Sequence, residues 1–443
     1  MSQKTDFITS IKEDFAAVSQ ARAAVEPDWL KGLRETAFAR FESMGIPTTK
    51  HEDWKYFSLK KLTKKTFPSA TQTQGLSISS SDLSAKYPGS FGKYNVVFVD
   101  GHFDADLSSL EGLPKGITAS SLQDALQGEQ ADAVKTELMK QLDRNDLHVF
   151  SALNLAMFSG GAWVSVAKNA VVEEPIHMVY LSTAKGEEQA HHTRSLIVAE
   201  ANSQASFTEH FVSLEGGSAW TNAVTEFVVA ENAHIDHVKV QEENQETFHI
   251  SNMQVEQARS STFASCAFSL GGLLVRNDIG AALLGEGIEC TLNGFFSADG
   301  EQVVDNHTFI DHAFPHCNSY ETYKGVLDGK GSGVFNGKIL VRQDAQKTDA
   351  KQNNQALLLS DDAQMSSKPQ LEIFADDVKC THGATSGFLN KEAMFYLQAR
   401  GIPKSEARGL LTFAFANDVV GGVKHEALRE YLENFLILRF RDQ

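Results

Sequence analysis

The sequence predicts a mainly β protein, a β-solenoid core flanked by helical regions on both sides. Three observations carry this. From Trp163 onward, β-patterned segments dominate for roughly two hundred residues with no helix-length pattern between them, which disfavours βαβ topology. Segments beginning at Ser206, Ile235, Thr262 and Glu289 are spaced 29, 27 and 27 residues apart, and Asn318, Gly333 and Thr348 follow at steps of 29, 15 and 15. A step near 15, or twice that, is the period of coils stacking on one another. Finally, the apolar period changes to that of amphipathic helices after Gly387, as it does near the N-terminus.

Taken in order, residues 1–92 read as a helical region with a linker. Leu30, Leu33, Ala37, Phe41 and Met44 form one stripe at three- and four-residue steps, and Gly45-Ile46-Pro47 stops it. In His51-Glu-Asp-Trp-Lys-Tyr-Phe-Ser-Leu59, Trp54 and Tyr56 are expected to be packing anchors. Residues 67–90, rich in Ser, Thr, Gln and Gly, read as loop or linker. Tyr94-Asn-Val-Val-Phe-Val-Asp-Gly101 is the first clear strand and ends in an Asp-Gly turn. A helical interlude at about 119–145 precedes the strands, which complete a core spanning 93–385. Three helices make up 386–443. Asn390 caps Lys391 to Arg400, which Gly401-Ile402-Pro403 ends. The second, Ser405 to Asn417, puts Ala407, Leu410, Leu411 and Ala414 on one face. The third, Lys424 to Phe440, aligns Leu428, Tyr431, Leu432, Phe435 and Leu436. Any face these helices leave over is a candidate partner surface.

The bulk numbers exclude several classes. A chain of 443 residues implies two or three domains, and 42% hydrophobic with 22% charged content is globular. Net charge is −17, from 40 basic and 57 acidic residues, which argues against unspecific binding to nucleic acid or an anionic membrane. Four scattered cysteines suit a reducing cytoplasm better than a disulfide framework. The stretch from Met1 through Lys12, Glu13 and Asp14 has no signal-peptide core, and no segment reaches the length of a membrane span.

The chemistry concentrates in Leu371-Glu-Ile-Phe-Ala-Asp-Asp-Val-Lys-Cys-Thr-His-Gly-Ala-Thr385. On an extended backbone Cys380 and His382 share one face, roughly 6.5 Å apart at Cα. A thiolate beside an imidazole is a pair of soft metal ligands. Zinc or an iron–sulfur cluster usually takes about four, so the pair amounts to half a site whose other half lies elsewhere. Cys266, Cys290 and Cys317 sit in strand-like apolar company and read as packing residues. The His307, His312, His316 and Cys317 group fits no zinc spacing, Asp361-Asp362 and Asp376-Asp377 read as turns, and His191-His192 reads as solvated. Gly329-Lys-Gly-Ser-Gly333 is not a phosphate-binding loop, so no nucleotide site is expected.

Further stretches carry a resemblance: His51-Glu-Asp-Trp-Lys-Tyr56, Val96-Val-Phe-Val-Asp-Gly101, Phe150-Ser-Ala-Leu-Asn-Leu-Ala156, Val334-Phe-Asn-Gly-Lys-Ile339, Ala345-Gln-Lys-Thr-Asp-Ala350, Lys368-Pro-Gln-Leu-Glu-Ile373 and Asp376 to Thr385. With these the chain resembles the SufB/SufD family of scaffold subunits for iron–sulfur cluster assembly. It resembles the SufD side, since Lys379-Cys-Thr-His-Gly383 stands where a SufB-like chain would carry Glu-His-Glu. The resemblance implies a right-handed parallel β-helix between N-terminal and C-terminal helical domains, and a non-catalytic role. It implies a complex with a SufB-like paralogue, met through the β-helix, and SufC-like ATPases, met through the C-terminal helices. A transient cluster would form at the SufB boundary, with Cys380 and His382 as this chain's contribution, and the isolated chain would form a homodimer. The alternative from another class is a β-solenoid carbohydrate-active enzyme, which would need clustered carboxylates along stacked coils and an export signal.

Overall fold

A computed structural model describes residues 2–70, 79–89, 91–143, 147–184, 188–214 and 216–441. The middle of the expected linker, residues 71–78, lies outside them. The chain winds into a parallel β-solenoid of about 7 turns, each turn giving one strand to each of two sheets. The first sheet stacks Tyr94–Val99, Ile176–Ser182, Gln204–Ser213, His234–Glu242, Thr262–Ser269, Glu289–Ala298, Asn318–Leu327, Asp349–Leu358 and Lys379–Phe388. The second stacks Ala162–Val166, Gln189–Ala199, Ala219–Val229, Phe248–Gln257, Leu274–Leu283, Val303–His312, Ser332–Val341 and Gln364–Ile373. Ile117–Ser121 joins its far end antiparallel.

The sequence steps are the strand register. Thr262 pairs with Glu289 and Glu289 with Asn318, the 27- and 29-residue spacings. Ile235 pairs with Ala205, one residue from the expected Ser206. The half-step near 15 is the crossing to the other sheet, where Ser332–Val341 intervenes between Asn318–Leu327 and Asp349–Leu358. At one corner successive coils before the last turn through a left-handed residue: Asn169, Asn202, Asn232, Ser260, Gly287, His316 and Lys347 have φ of 63, 59, 56, 57, 68, 58 and 62°. Asparagine tolerates this conformation. Its amides also tie the coils, Asn232 Nδ2 donating to Asn202 Oδ1 and Asn202 Nδ2 to Asn169 Oδ1, each at 2.9 Å.

Helices cover the outside of both sheets. The N-terminal group comprises α1 (Ser2–Arg22), α2 (Asp28–Met44), α3 (Ser80–Lys86), α4 (Leu122–Gln127), α5 (Ala131–Asp143) and α6 (Val149–Met157). Of these, α1, α2 and α4–α6 share one core with Trp163, Trp220 and Phe248 of the second sheet. Trp220 is its hub, with the Phe7, Phe67 and Phe150 rings 5.8, 6.2 and 5.9 Å away. The predicted α2 stripe is buried at Leu30, Leu33, Ala37 and Phe41, while Met44, at the end before Gly45, is exposed. Only Trp54 of the expected aromatic pair is an anchor. It stacks on the Arg276 guanidinium at 3.9 Å, whereas Tyr56 is 48% exposed. Within the expected linker, α3 is set by a Ser79–Asp82 capping box. Asp100 and Gly101, at φ 50 and 82°, make the hairpin turn into His102–Phe103.

At the other end, α7 (Lys391–Ala399), α8 (Lys404–Val420) and α9 (Glu426–Arg441) follow the last strand. Helices α8 and α9 pack on the outside of the first sheet, burying Ala416, Val419, Leu428, Leu432, Leu436 and Phe440 against Cys266, Phe268, Phe295 and Val326. The buried face of α8 is Ala407, Gly409, Thr412, Ala416, Val419 and Val420. The expected face fails beyond Ala407, since Leu410 and Ala414 are exposed. Small residues win these positions because the helix lies close against its neighbours. Lys324, reaching from the solenoid, binds Asp418 at 2.5 Å and the Phe415 carbonyl at 3.3 Å. No residue of α7 is buried, which leaves Phe395 and Tyr396 in solvent.

Candidate functional site: the open end of the solenoid

Every coil but the last is covered by the next. Gln364–Ile373 and Lys379–Phe388 end their sheets, and among the described residues no strand pairs with their outer edges. Ile373, Phe374 and Phe388 are 39%, 64% and 60% exposed there. A bare edge with unpaired backbone groups and an apolar rim is a template for another chain.

Cys380 and His382 lie on this last strand, in register with Ala350 and Gln352 of the coil beneath. Side chains alternate along a strand, so both stand in the row that continues the buried lumenal residues Ala350, Gln352, Ser319, Glu321 and Cys290. They face into the lumen, but at its mouth: Cys380 is half-buried and His382 exposed. Cys380 packs beside Ile339, Val341, Ala350 and Leu371. Burial pushes its thiol up, against a hydrogen bond from the Ala350 backbone. Left alone, that thiol keeps its proton, and a metal must displace it to gain a thiolate. Among the described residues no group of three or more His, Cys, Asp or Glu is arranged to hold a metal ion. Cys380 and His382 would by themselves be fewer donors than zinc or a cluster usually takes.

The structure keeps the other candidates apart. Cys266, Cys290 and Cys317 are buried and free, burial pushing the Cys266 thiol up to about 12. His312 bonds Ser319 at 2.9 Å, His307 faces Asp305 at 3.0 Å, and Cys317 bonds the Gly285 carbonyl at 3.2 Å, so the suggestive cluster does not converge. Asp361 and Asp362 lie in a turn, and Asp377 pairs with Lys347. The His191-His192 reading is corrected, since both are buried. His191 faces Asp100 at 3.5 Å and His192 meets Asn222 at 3.2 Å, with burial lowering the His192 imidazole to about 3. Being adjacent on one strand they face opposite ways, His192 toward the N-terminal helices and His191 into the solenoid, a packing that local sequence does not display.

Sequence reasoning also missed a polar interior. Lys239, buried, reaches His249 at 2.9 Å, Ser251 at 2.6 Å and Asn277 at 3.0 Å. His249 bonds Glu243 at 2.7 Å, and His237 meets Glu209 at 3.2 Å. Burial lowers Lys239 to about 8 and raises Glu321 to about 7. The signal was present as charged residues in lumenal register positions, but it requires the register to be known first. A cavity of about 580 Å³ lies between the first sheet and the α8–α9 turn, lined by Phe207, Asp236, Cys266, Lys424 and His425 among others, away from Cys380. No helix among the described residues is long and apolar enough to cross a membrane.

Two family models match in succession. Residues 1–178 match the SufBD protein N-terminal region, and residues 180–415 match the SufBD core domain of the SUF system for FeS cluster assembly. The chain is 33% identical over 390 residues to iron-sulfur cluster assembly protein SufD of Escherichia coli, covering 87% of each protein. It is 30% identical to an iron-sulfur cluster assembly SufBD family protein of Synechocystis, over 99% of this chain and 98% of that one. It is 28% identical to iron-sulfur cluster assembly protein SufD of Bacillus subtilis, over 92% and 93%. The two models together take in the N-terminal helices, the solenoid and its bare terminal coil, and the Synechocystis match spans 99% of the chain, so the chain belongs to the SufBD family of iron–sulfur cluster assembly proteins.

Proposed function

We propose that this chain is a non-catalytic scaffold subunit, working in a reducing cytoplasm, whose terminal coil pairs with a SufB-like paralogue to build a shared cluster-assembly site. The observation that carries the reading is the placement of Cys380, half-buried, and His382, exposed, at an uncovered solenoid mouth, too few to hold a cluster but where another chain can complete the set. The nascent cluster is cargo here, held in transit by ligands from two chains. SufC-like ATPases would dock on the C-terminal helices, where Phe395, Tyr396, Leu410 and Leu438 stand in solvent. A small shift of the subunits, driven by those ATPases, would break a shared ligand set and release the cluster. Purified alone, the same edge would pair with a second copy of itself.

The test is anaerobic reconstitution with SufB-like and SufC-like partners, iron and sulfide. Cys380→Ala with His382→Ala is expected to preserve the fold and complex but to abolish most cluster formation. An unchanged yield from the double variant would sink the reading.

A further inference from the structure

One coil beneath His382 lies Gln352, its register partner, and one coil deeper lies Glu321. Both are 2% exposed. Gln352 Nε2 donates to Glu321 Oε2 at 2.7 Å, which commits the amide's donor end downward, away from the mouth. Its carbonyl end is left over: Gln352 Oε1 is buried with no hydrogen-bond partner among the described residues. An orphaned buried acceptor carries a cost of about 1–3 kcal/mol unless something donates to it. The opposite wall makes room for this amide. A Cβ built on Gly337 of the second sheet would lie 2.1 Å from Gln352 Nε2, so only a residue without a side chain fits there. In-register parallel strands lie about 4.8 Å apart, which puts an imidazole on the next rung within reach of the free oxygen.

We propose that Gln352, held by Glu321 and admitted by Gly337, is a positioning residue for His382, its free Oε1 accepting one imidazole N–H and so fixing the tautomer that turns the other nitrogen toward the cluster. A metal-binding histidine ordinarily gives its second nitrogen to such an acceptor, and removing the acceptor costs about 10–100-fold in metal affinity or activity. The inference rests on His382 being a cluster ligand, and it adds the two buried residues that orient it.

The experiment uses the full chain with selectively ¹⁵N-labelled histidine, the His382 resonance being assigned by its loss in His382→Ala. The wild type is expected to show a single His382 tautomer by long-range ¹H–¹⁵N correlation. Gln352→Met, of similar shape but without an acceptor, is expected to show a mixture. Gln352→Glu, which shares one proton with the buried Glu321 carboxyl and keeps an acceptor oxygen for His382, is expected to restore the single form. In the reconstituted complex Gln352→Met is expected to slow cluster formation about 10–100-fold. Gly337→Ala, whose methyl displaces the amide, repeats both effects and serves if Gln352→Met does not fold. A wild-type tautomer pattern and wild-type cluster formation in the folded variants would overturn the inference while leaving the scaffold reading intact. Cluster formation indifferent to His382→Ala would instead remove the scaffold reading on which it rests.

Discussion

If the bare terminal coil is where a second chain docks, replacing one aromatic side chain on its rim should change self-association by a calculable amount. Phe388 stands in the same alternating row as Cys380 and His382 and is 60% exposed; Phe374, at the end of the other terminal strand, is 64% exposed. Burying a whole Phe side chain contributes about 1.5–3 kcal/mol, so the exposed part of each has about 1–2 kcal/mol still to gain. A two-fold dimer uses each residue twice. Phe388→Asp should therefore remove about 2–4 kcal/mol per dimer, roughly 30- to 1,000-fold in Kd, before any penalty for desolvating the new carboxylate. Sedimentation velocity of the isolated chain at micromolar concentration reads this directly, with Phe374→Asp as a second probe. Leu438→Asp is the control, because Leu438 is equally exposed at 61% but lies on α9; it should leave the dimer constant alone. A wild-type monomer at micromolar concentration, or a Phe388→Asp dimer within threefold of wild type, would refute the reasoning.

Other perturbations probe what holds the solenoid and its N-terminal helices together. Arg276 is fully buried; it grips Asp278 through two bonds of 2.9 and 2.8 Å and Asp305 through one of 2.8 Å, so Arg276→Met strands two carboxylates and should destabilise the fold by about 3–5 kcal/mol. Burial alone would raise the Asp278 carboxyl, but the Arg276 charge outweighs it and holds the group well below the usual carboxylate range. A depressed folded value stabilises above the unfolded value near 4 and is lost only as pH falls through the folded value. In the variant the same buried acid titrates above its unfolded value and is relieved by acid. The wild-type-minus-variant gap in urea unfolding should thus narrow between pH 7 and pH 5; a constant gap contradicts the assignment. Trp220→Ala removes the hub under the N-terminal helices at a cost of about 3–5 kcal/mol. Hydrogen exchange should then rise in α2 while the strands beyond Asn318 stay protected, and uniform protection would show that the helices do not depend on it.

Coil spacing could be read from the chain because a solenoid repeats its register, and Thr262, Glu289 and Asn318 are true strand partners. What escaped was whatever depends on the far side of a coil. Helix α6 has all nine residues buried, so it offers no polar face and hence no period to detect. The α8 face was assigned by hydrophobicity to Leu410 and Leu411, but close packing selected Gly409 and Thr412. His191 and His192 look like solvent-facing polar residues until the register turns His191 inward to Asp100 and the N-terminal helices are laid over His192. At the site itself, the Cys380 and His382 pairing followed from two-residue alternation alone. Gln352 and Glu321 could not follow, because they lie 30 and 61 positions upstream of His382 and reach it only through the register.

The two terminal edges are not equivalent, and the difference bears on how a partner is chosen. Edge strands invite unspecific pairing unless something blunts them, and proline does so by withholding an N–H. Gln364–Ile373 carries Pro369 in its middle, opposite Gly337, so its outer ladder lacks a donor. Lys379–Phe388 has no proline along its ten residues and keeps every backbone donor. The strand left open for continuous pairing is thus the one that bears Cys380 and His382. A chain that extended this edge would set its own residues directly over Cys380 and His382, in the next rung of the same lumenal row. Under the proposed function, the selection of a partner and the completion of a ligand set would be one event, since the register that satisfies the backbone also decides which side chains meet His382.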